Sequence, residues 1–355
     1  MRRFERRRFL LAAGALAAAP LARAQKRATM PRLGVPMRGA ALAQPPARGR
    51  PHRIGLIPEF DDIPNFRSDL SGLFQQLGWR EGADFEFIVT GAKYHTYEIE
   101  AAAARMVREE PDLILVVATS YASALHRRTR SIPIVMIASG YPVEAGIAHS
   151  LARPGKNVTG TTIYAGTGVW AKYLELLRAA KPGLERVGML MSYTLPGHTR
   201  EEIEPLYREV AQGAESLGFR VHVVEVPSPD RAEAALAEIE ARKPEALLLT
   251  SGQGAWTVRE KLSGFALRHR LPSVCDFWWV GIEPQPLLIY APEVTALWRS
   301  ALSYAVRILR DGARPGDLPI QQPARFELAV NLKTARAIGL TLPASLLLRA
   351  DRVVE

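Results

Sequence analysis

Five apolar runs in this 355-residue chain each end in residues suited to recognising a small molecule without transforming it. "DLILVVA" is followed by Thr119, Ser120 and Tyr121, and "IPIVMIA" by Ser139, Gly140 and Tyr141. "RVGMLM" leads to Ser192, Tyr193 and Thr194, "ALLLT" to Ser251, Gly252 and Gln253, and "PSVC" to Asp276, Phe277 and Trp278. Hydroxyls and the Gln253 amide offer directional hydrogen bonds, tyrosine rings offer faces for stacking, and Asp276 offers a charge to an amine. A helix opening near Thr119 adds free backbone N–H groups and positive potential, a match for a carboxylate. Taken singly, each of these residues reads as a turn or a helix cap. Their recurrence in both halves of the chain points to a binding cleft. Trp278 and Trp279 are read first as core or hinge packing.

Other chemistries lack their residues. The glycine-rich stretch "SGYPVEAGIAHSLARPGKNVTG" has Gly155-Lys156 followed by Asn157, not Ser or Thr, so it cannot cradle phosphates as a P-loop does. No G-x-G-x-x-G follows the first strand, where "GLIPEFDD" stands, and neither G-x-S-x-G nor H-E-x-x-H occurs. The seven histidines are scattered singly, and Asp61-Asp62 reads as a helix cap. No catalytic group, metal or cofactor is expected. The lone Cys275 has no disulfide partner in the chain and reads as a small buried hydrophobe.

The elements that must position the polar loops are legible from periodicity. "RIGLI", "FEFIV", "DLILVVA" and "IPIVMIA" alternate with helical stretches, the first striped by Phe66, Leu70, Leu73, Phe74 and Leu77 and stopped at Gly78. Near-continuous apolar strands separated by helices describe a parallel sheet covered on both faces. A second set starts after "VWAKYLELLRAA", with strands "RVGMLMS", "RVHVVEV", "ALLLTS" and "PSVCDF". The fold class is therefore α/β in two lobes. The tail, with strands "PLLIYA" and "RFELAVNL" and a helix striped by Val294, Leu297, Trp298, Ala301 and Ile308, is too short for a third domain and completes the two lobes. In open α/β sheets ligands bind at the carboxyl ends of strands, so two facing lobes make a cleft there.

The formal charge of +10 is misleading until it is located. Residues 1 to 52 carry twelve Lys or Arg and one acid, Glu5, for +11, and the remainder sums to −1. The folded part has no basic excess for nucleic acid. Residues 1–24 read as a signal peptide: a basic start, the apolar "FLLAAGALAAAPLA", and Ala22-Arg23-Ala24 before cleavage at Gln25. Arg6-Arg7-Arg8-Phe9-Leu10 also fits a twin-arginine signal. No cysteine follows the cleavage site, so the expected product is exported, periplasmic and not lipidated. Residues 25–52, rich in Pro, Ala, Gly and Arg, read as a disordered linker.

Two stretches carry a family resemblance. "SIPIVMIASGYPVEAGIAHSLARPGKNVTG" resembles the middle of the ABC transporter substrate-binding protein family related to tryptophan- and tyrosine-binding lipoproteins. "RPGDLPIQQPARFELAVNLKTARAIGLTLPASLLLRADRVVE" resembles that family's C-terminal end. The resemblance covers about Arg53 to Glu355. It implies a type I periplasmic binding fold: two Rossmann-like lobes with parallel sheets, joined by a three-crossing hinge. Lobe 1 is then expected at 53–162 plus 284–316, and lobe 2 at 165–280 plus 322–355. The crossings would fall after Thr162, near Phe277 to Gln285, and near Pro315 to Arg325. The family's "GTPAA" loop falls on Thr119 to Ser123, and its "SDPV" on Gly140 to Val143, so Tyr141 replaces a common Asp. The small polar loop after the first strand is Glu59 to Asp62 here, and the second-lobe "NP" is Ser192-Tyr193. All these departures fall in the cleft. The implied role is a monomeric periplasmic protein that captures a small molecule, such as an aromatic amino acid or a related amine or carboxylate, and delivers it to an ABC permease. The cleft residues are then Thr119, Ser120, Tyr121, Ser139, Gly140, Tyr141, Thr162, Ser192, Tyr193, Gln253, Asp276 and Trp278. A ligand-sensing subunit for a receptor kinase would need only the same closing cleft, and an exported enzyme would need a catalytic group within it.

Overall fold

A strand buried on both faces has to sit between two layers, and the apolar runs of the first half do so. In the computed structural model, which describes residues 50–57, 63–90, 96–166, 168–191, 200–250, 253–278 and 282–355, β1 (His52–Ile57) opens the first lobe one residue earlier than expected. After α1 (Ile63–Gln76), β2 (Phe85–Val89) and α2 (Thr96–Arg108) come β3 (Leu113–Val116), α3 (Thr119–Arg128), β4 (Ile134–Ser139) and β5 (Val158–Thr162). Their order is β2-β1-β3-β4-β5, and all pairings are parallel. Every residue of β3 and β4 is buried. The order reverses between β1 and β3, so the loops leaving those strands open a crevice at the sheet's carboxyl edge.

The second lobe follows: α4 (Gly168–Ala180), β6 (Arg186–Met191), α5 (Arg200–Ser216), β7 (Arg220–Glu225), α6 (Ala232–Ala241), β8 (Ala246–Leu249), α7 (Gln253–Thr257), α8 (Arg259–Arg268) and β9 (Ser273–Cys275). β10 (Leu288–Pro292), α9 (Val294–Asp311), β11 (Phe326–Asn331), α10 (Leu332–Ala337), α11 (Ala344–Leu347) and β12 (Arg352–Val354) complete the chain. The second sheet runs β12-β11-β10-β9-β8-β6-β7, and only the β10–β11 pair is antiparallel.

One boundary differs from the expectation. Residues 284 to 292 do not join the first lobe: β10 pairs parallel with β9 and antiparallel with β11, inside the second sheet. The run "LIYAP" is mostly buried and needs partners on both edges, which only the second sheet supplies. α9 and the segment after it return to the first lobe, where Leu297, Trp298, Ala301, Leu302 and Leu318 share a cluster with Leu115, Val135 and Ile137. The second crossing therefore lies at Pro292 to Val294, not at Phe277 to Gln285.

The three crossings are laced together. Thr162 N–H donates to Gln321 O at 2.9 Å, and Gln321 N–H donates to Gly160 O at 3.0 Å. Glu293 N–H donates to Arg325 O at 3.1 Å, and the Gln322 amide donates to Tyr164 O at 3.1 Å. Gly160 is required where β5 passes β4: its φ is +127°, and a Cβ there would stand 2.1 Å from Met136 O. No side-chain-bearing residue fits that approach.

Candidate functional site

The carboxyl end of β4 is held by hydroxyl groups that the sequence offers at the right offsets. Ser139 Oγ donates to Val117 O at 2.7 Å, and Thr119 Oγ1 donates to Gly140 O. Thr162 Oγ1 accepts from Tyr164 N–H at 3.1 Å, and Ile163 N–H donates to Ser139 O at 2.8 Å. Thr119, Ser139, Gly140 and Thr162 thus come together, but as braces that fix the loop after β4 against the first crossing. Held this way, Tyr141 takes a φ of +31°, a left-handed value that is costly for a tyrosine.

The strained loop delivers the Tyr141 ring across the lobe boundary. It is buried in the second lobe's hydrophobic cluster, with Trp170, Tyr173 and Leu174 of α4. The Tyr141 and Tyr164 centroids are 4.5 Å apart, and those of Trp170 and Tyr173 are 5.7 Å apart. Asp276, the residue after β9, is buried beside them and lines the same cavity as Tyr141, Tyr164, Trp170 and Tyr173. Burial first, and then nearby groups including Asp276, hold the Tyr141 and Tyr173 phenols protonated well above the ordinary tyrosine range. The Trp170 indole N–H is buried without a hydrogen-bond partner, a donor available to a solute. The cavity measures about 20 Å³, room for one water molecule. No ring-bearing solute fits that volume.

This arrangement offers stacking faces, one carboxylate and one indole donor, groups suited to non-covalent recognition. Among the described residues no group of three or more His, Cys, Asp or Glu is gathered to hold a metal ion. Residues 64–251 match the profile of the family described as ABC transporter substrate binding protein. The chain belongs to this ABC transporter substrate-binding protein family. A curated relative of this substrate-binding protein, the tyrosine-binding protein of Clostridioides difficile strain R20291, is 24% identical over 307 residues, covering 81% of this chain and 80% of the relative. A conserved domain protein from Vibrio cholerae superposes with a TM-score of 0.74 at 24% identity, covering 85% of this chain and 98% of that one. An ABC domain from Streptococcus pneumonia in complex with L-Trp also gives 0.74, at 22% identity, covering 86% and 100%. These likenesses establish the two-lobed periplasmic binding fold. Substrate-binding proteins of this kind work outside the cytoplasm, and among the described residues no helix is long and apolar enough to cross a membrane.

Three expected cleft residues take other places in the substrate-binding protein. Tyr121 is fully buried inside the first lobe, in a cluster with Ile57, Met106 and Leu125, because it lies one turn before Leu125 on the inner stripe of α3. It is core, not a stacking face. Ser120 is buried on the same helix. Trp278 is half-buried in the second lobe; its indole donates to Pro292 O at 3.3 Å, and Arg352 stands 4.6 Å from its ring. Its hydrogen bond joins the segment after β9 to the end of β10. Ser192, Tyr193, Trp279 and the loop from Glu59 to Asp62 lie outside the described residues, as does the side chain of Gln253. The sequence reading missed Tyr164, Trp170 and Tyr173. The last two stand three apart at the start of α4, a spacing that puts both rings on one helix face.

Proposed function

We propose that this chain captures a small solute bearing a ring and an amine, and presents it to an ABC permease as a monomer without transforming it. The observation that carries this reading is Asp276, a buried carboxylate in a box of Tyr141, Tyr164, Trp170 and Tyr173. A cationic amine beside a carboxylate and aromatic faces gains both charge pairing and cation–π attraction. The tyrosine and tryptophan bound by the relatives have that chemistry, joined to a carboxylate. Contacts from both lobes give the solute a higher affinity for the closed form, which is what closure requires. The leader in residues 1–24 accords with export and release as a free periplasmic protein.

The test is a thermal-shift and calorimetric screen of unfolded and refolded protein against L-tyrosine, L-tryptophan, tyramine, phenylpropionate and glucose. A solute at about a thousand times its Kd adds about 4 kcal/mol of stability. Binding of the amines, lost in Asp276→Asn, supports the reading. Binding of glucose alone, or of the amines with equal strength in both proteins, refutes it.

A further inference from the structure

The first lobe carries a second cavity that shares no residue with the aromatic box. Its volume is about 820 Å³, in the range of small-molecule sites. Arg127 from the end of α3, Arg130 from just beyond it, Lys156 from the β4–β5 connection and Arg314 from the segment after α9 set four cations on its wall, against the single carboxylate of Asp317. Arg127 is engaged by Glu100 of α2, and Arg314 stands 3.7 Å from Asp317. Arg130 and Lys156 have no carboxylate partner among the described residues. Ser123, also on the wall, has a buried hydroxyl with no hydrogen-bond partner.

Arg127, Arg130 and Arg314 are exposed, and a chain of hydrogen bonds from the buried Asn157 and His126 orients Arg130. The Asn157 amide donates to Thr129 O at 3.1 Å and Ile132 O at 2.8 Å, which turns its Oδ1 toward His126. His126 Nδ1–H donates to that oxygen at 2.7 Å, so Nε2 is left to accept from the Arg130 guanidinium. Across the cavity, Gly155 N–H donates to Gly316 O at 3.0 Å. A Cβ on Gly316 would stand 2.8 Å from Lys156 O, so only glycine lets the segment carrying Arg314 approach the one carrying Lys156.

We propose that this cavity binds a multivalent oxyanion, a phosphate- or polycarboxylate-bearing small molecule, at a site separate from the inter-lobe cleft. The anion compensates Arg130 and Lys156 and accepts from the Ser123 hydroxyl. It also acts on His126, which burial, and then the positive charge of Arg130, Lys156 and Arg127, holds below the ordinary histidine range. Neutralising that charge raises the His126 pKa. Attraction between charges in a half-open cavity weakens as salt rises.

The experiment is calorimetric titration of the full chain with pyrophosphate and, separately, with citrate, at low and high salt. The expected result is saturable one-to-one binding that weakens with salt and falls at least about tenfold in the double variant Arg130→Gln/Lys156→Gln, with its circular dichroism unchanged. In the unaltered protein, the His126 ring resonances titrate at higher pH with the anion present, a readout that needs no variant. Preference for pyrophosphate assigns a phosphate ligand, and preference for citrate a polycarboxylate. If neither binds, if the double variant binds equally well, or if the His126 titration does not move, the proposal is overturned.

Discussion

Tyr141 and Tyr164 face each other at 4.5 Å, one ring carried by the loop after β4 and the other by the crossing that leaves the first lobe. The contact ties a strained backbone to the lobe boundary, since Tyr141 holds a φ of +31° while its ring packs with the second lobe. Removing the ring in Tyr141→Ala deletes packing worth about 3 kcal/mol between the lobes, and the solute-free protein should open. Small-angle scattering should show a larger radius of gyration for the alanine variant and an unchanged one for Tyr141→Phe. Identical curves for all three proteins would falsify the role given to this ring.

Asp276 should matter to amines and not to acids. Asp276→Asn should weaken tyramine by about 10- to 100-fold, the worth of a hydrogen bond to a charged group. Binding of 3-(4-hydroxyphenyl)propionate, which has no amine, should change little or improve. Calorimetry on the two ligands separates a charge effect from a collapsed site, because collapse would cost both equally.

Gly160 and Gly72 should respond to alanine with opposite signs. At Gly160 the new methyl meets the Met136 backbone at 2.1 Å, and backbone cannot swing aside, so a loss above about 3 kcal/mol and a fall in Tm of at least roughly 6 °C are expected. At Gly72, within α1, nothing stands within 4 Å, and alanine should stabilise by about 1 kcal/mol. Differential scanning calorimetry of both variants reads the contrast directly.

Stability should fall as the solution is acidified below pH 6.5, the ordinary histidine value. Below it the unfolded chain protonates His126, while burial and the neighbouring cations keep the folded imidazole neutral. The contribution is fully present above that pH and is lost on the way down through the lower folded value. Glu100 acts in a separate window: burial opposes its charge, but Arg127 and Arg128 outweigh that and hold its pKa below 4.5, so its contribution is lost only in stronger acid. Urea midpoints between pH 7.5 and 5.5 should flatten in His126→Gln, and an unchanged slope counts against this assignment.

Cys275 should be inert in the folded protein. Burial pushes its thiol well above the ordinary range, the Asp276 charge adds to the shift, and the side chain is fully covered. A chromogenic disulfide reagent should label it only after denaturant is added. Prompt labelling in native buffer would show that the end of β9 opens.

Much of this architecture is written locally. Phe66, Leu70, Leu73 and Phe74 stripe one face of α1, and four consecutive buried residues make β3, so element type and layer follow from period and burial. Sheet membership does not. "PLLIYA" reads as a buried strand anywhere, and its place is fixed by pairing with β9 and β11, whose positions no local pattern encodes. In the aromatic box, Tyr141 and Asp276 are legible because both lie within two residues of a strand's end. Tyr121 was misplaced because its spacing from Leu125, which marks an inner helix stripe, was given less weight than its position after a strand. Trp170 and Tyr173 enter the box from a helix face and could not be found by looking at strand ends.

The return of α9 to the first lobe has a consequence for biosynthesis. The face of β3 and β4 that carries Leu115, Val135 and Ile137 shares one cluster with Phe66, Leu70 and Leu73 of α1, made early, and with Leu297, Trp298 and Ala301 of α9, made late. The ribosome must make the second lobe up to β10 before it reaches them, a delay on the order of 10 s at the usual rate of elongation. Throughout that interval the nascent first lobe shows part of an apolar sheet without its α9 cover, a binding surface for chaperones. A chain of an extracytoplasmic family gains from this order of events, because its first lobe stays incompletely packed until α9 has been made.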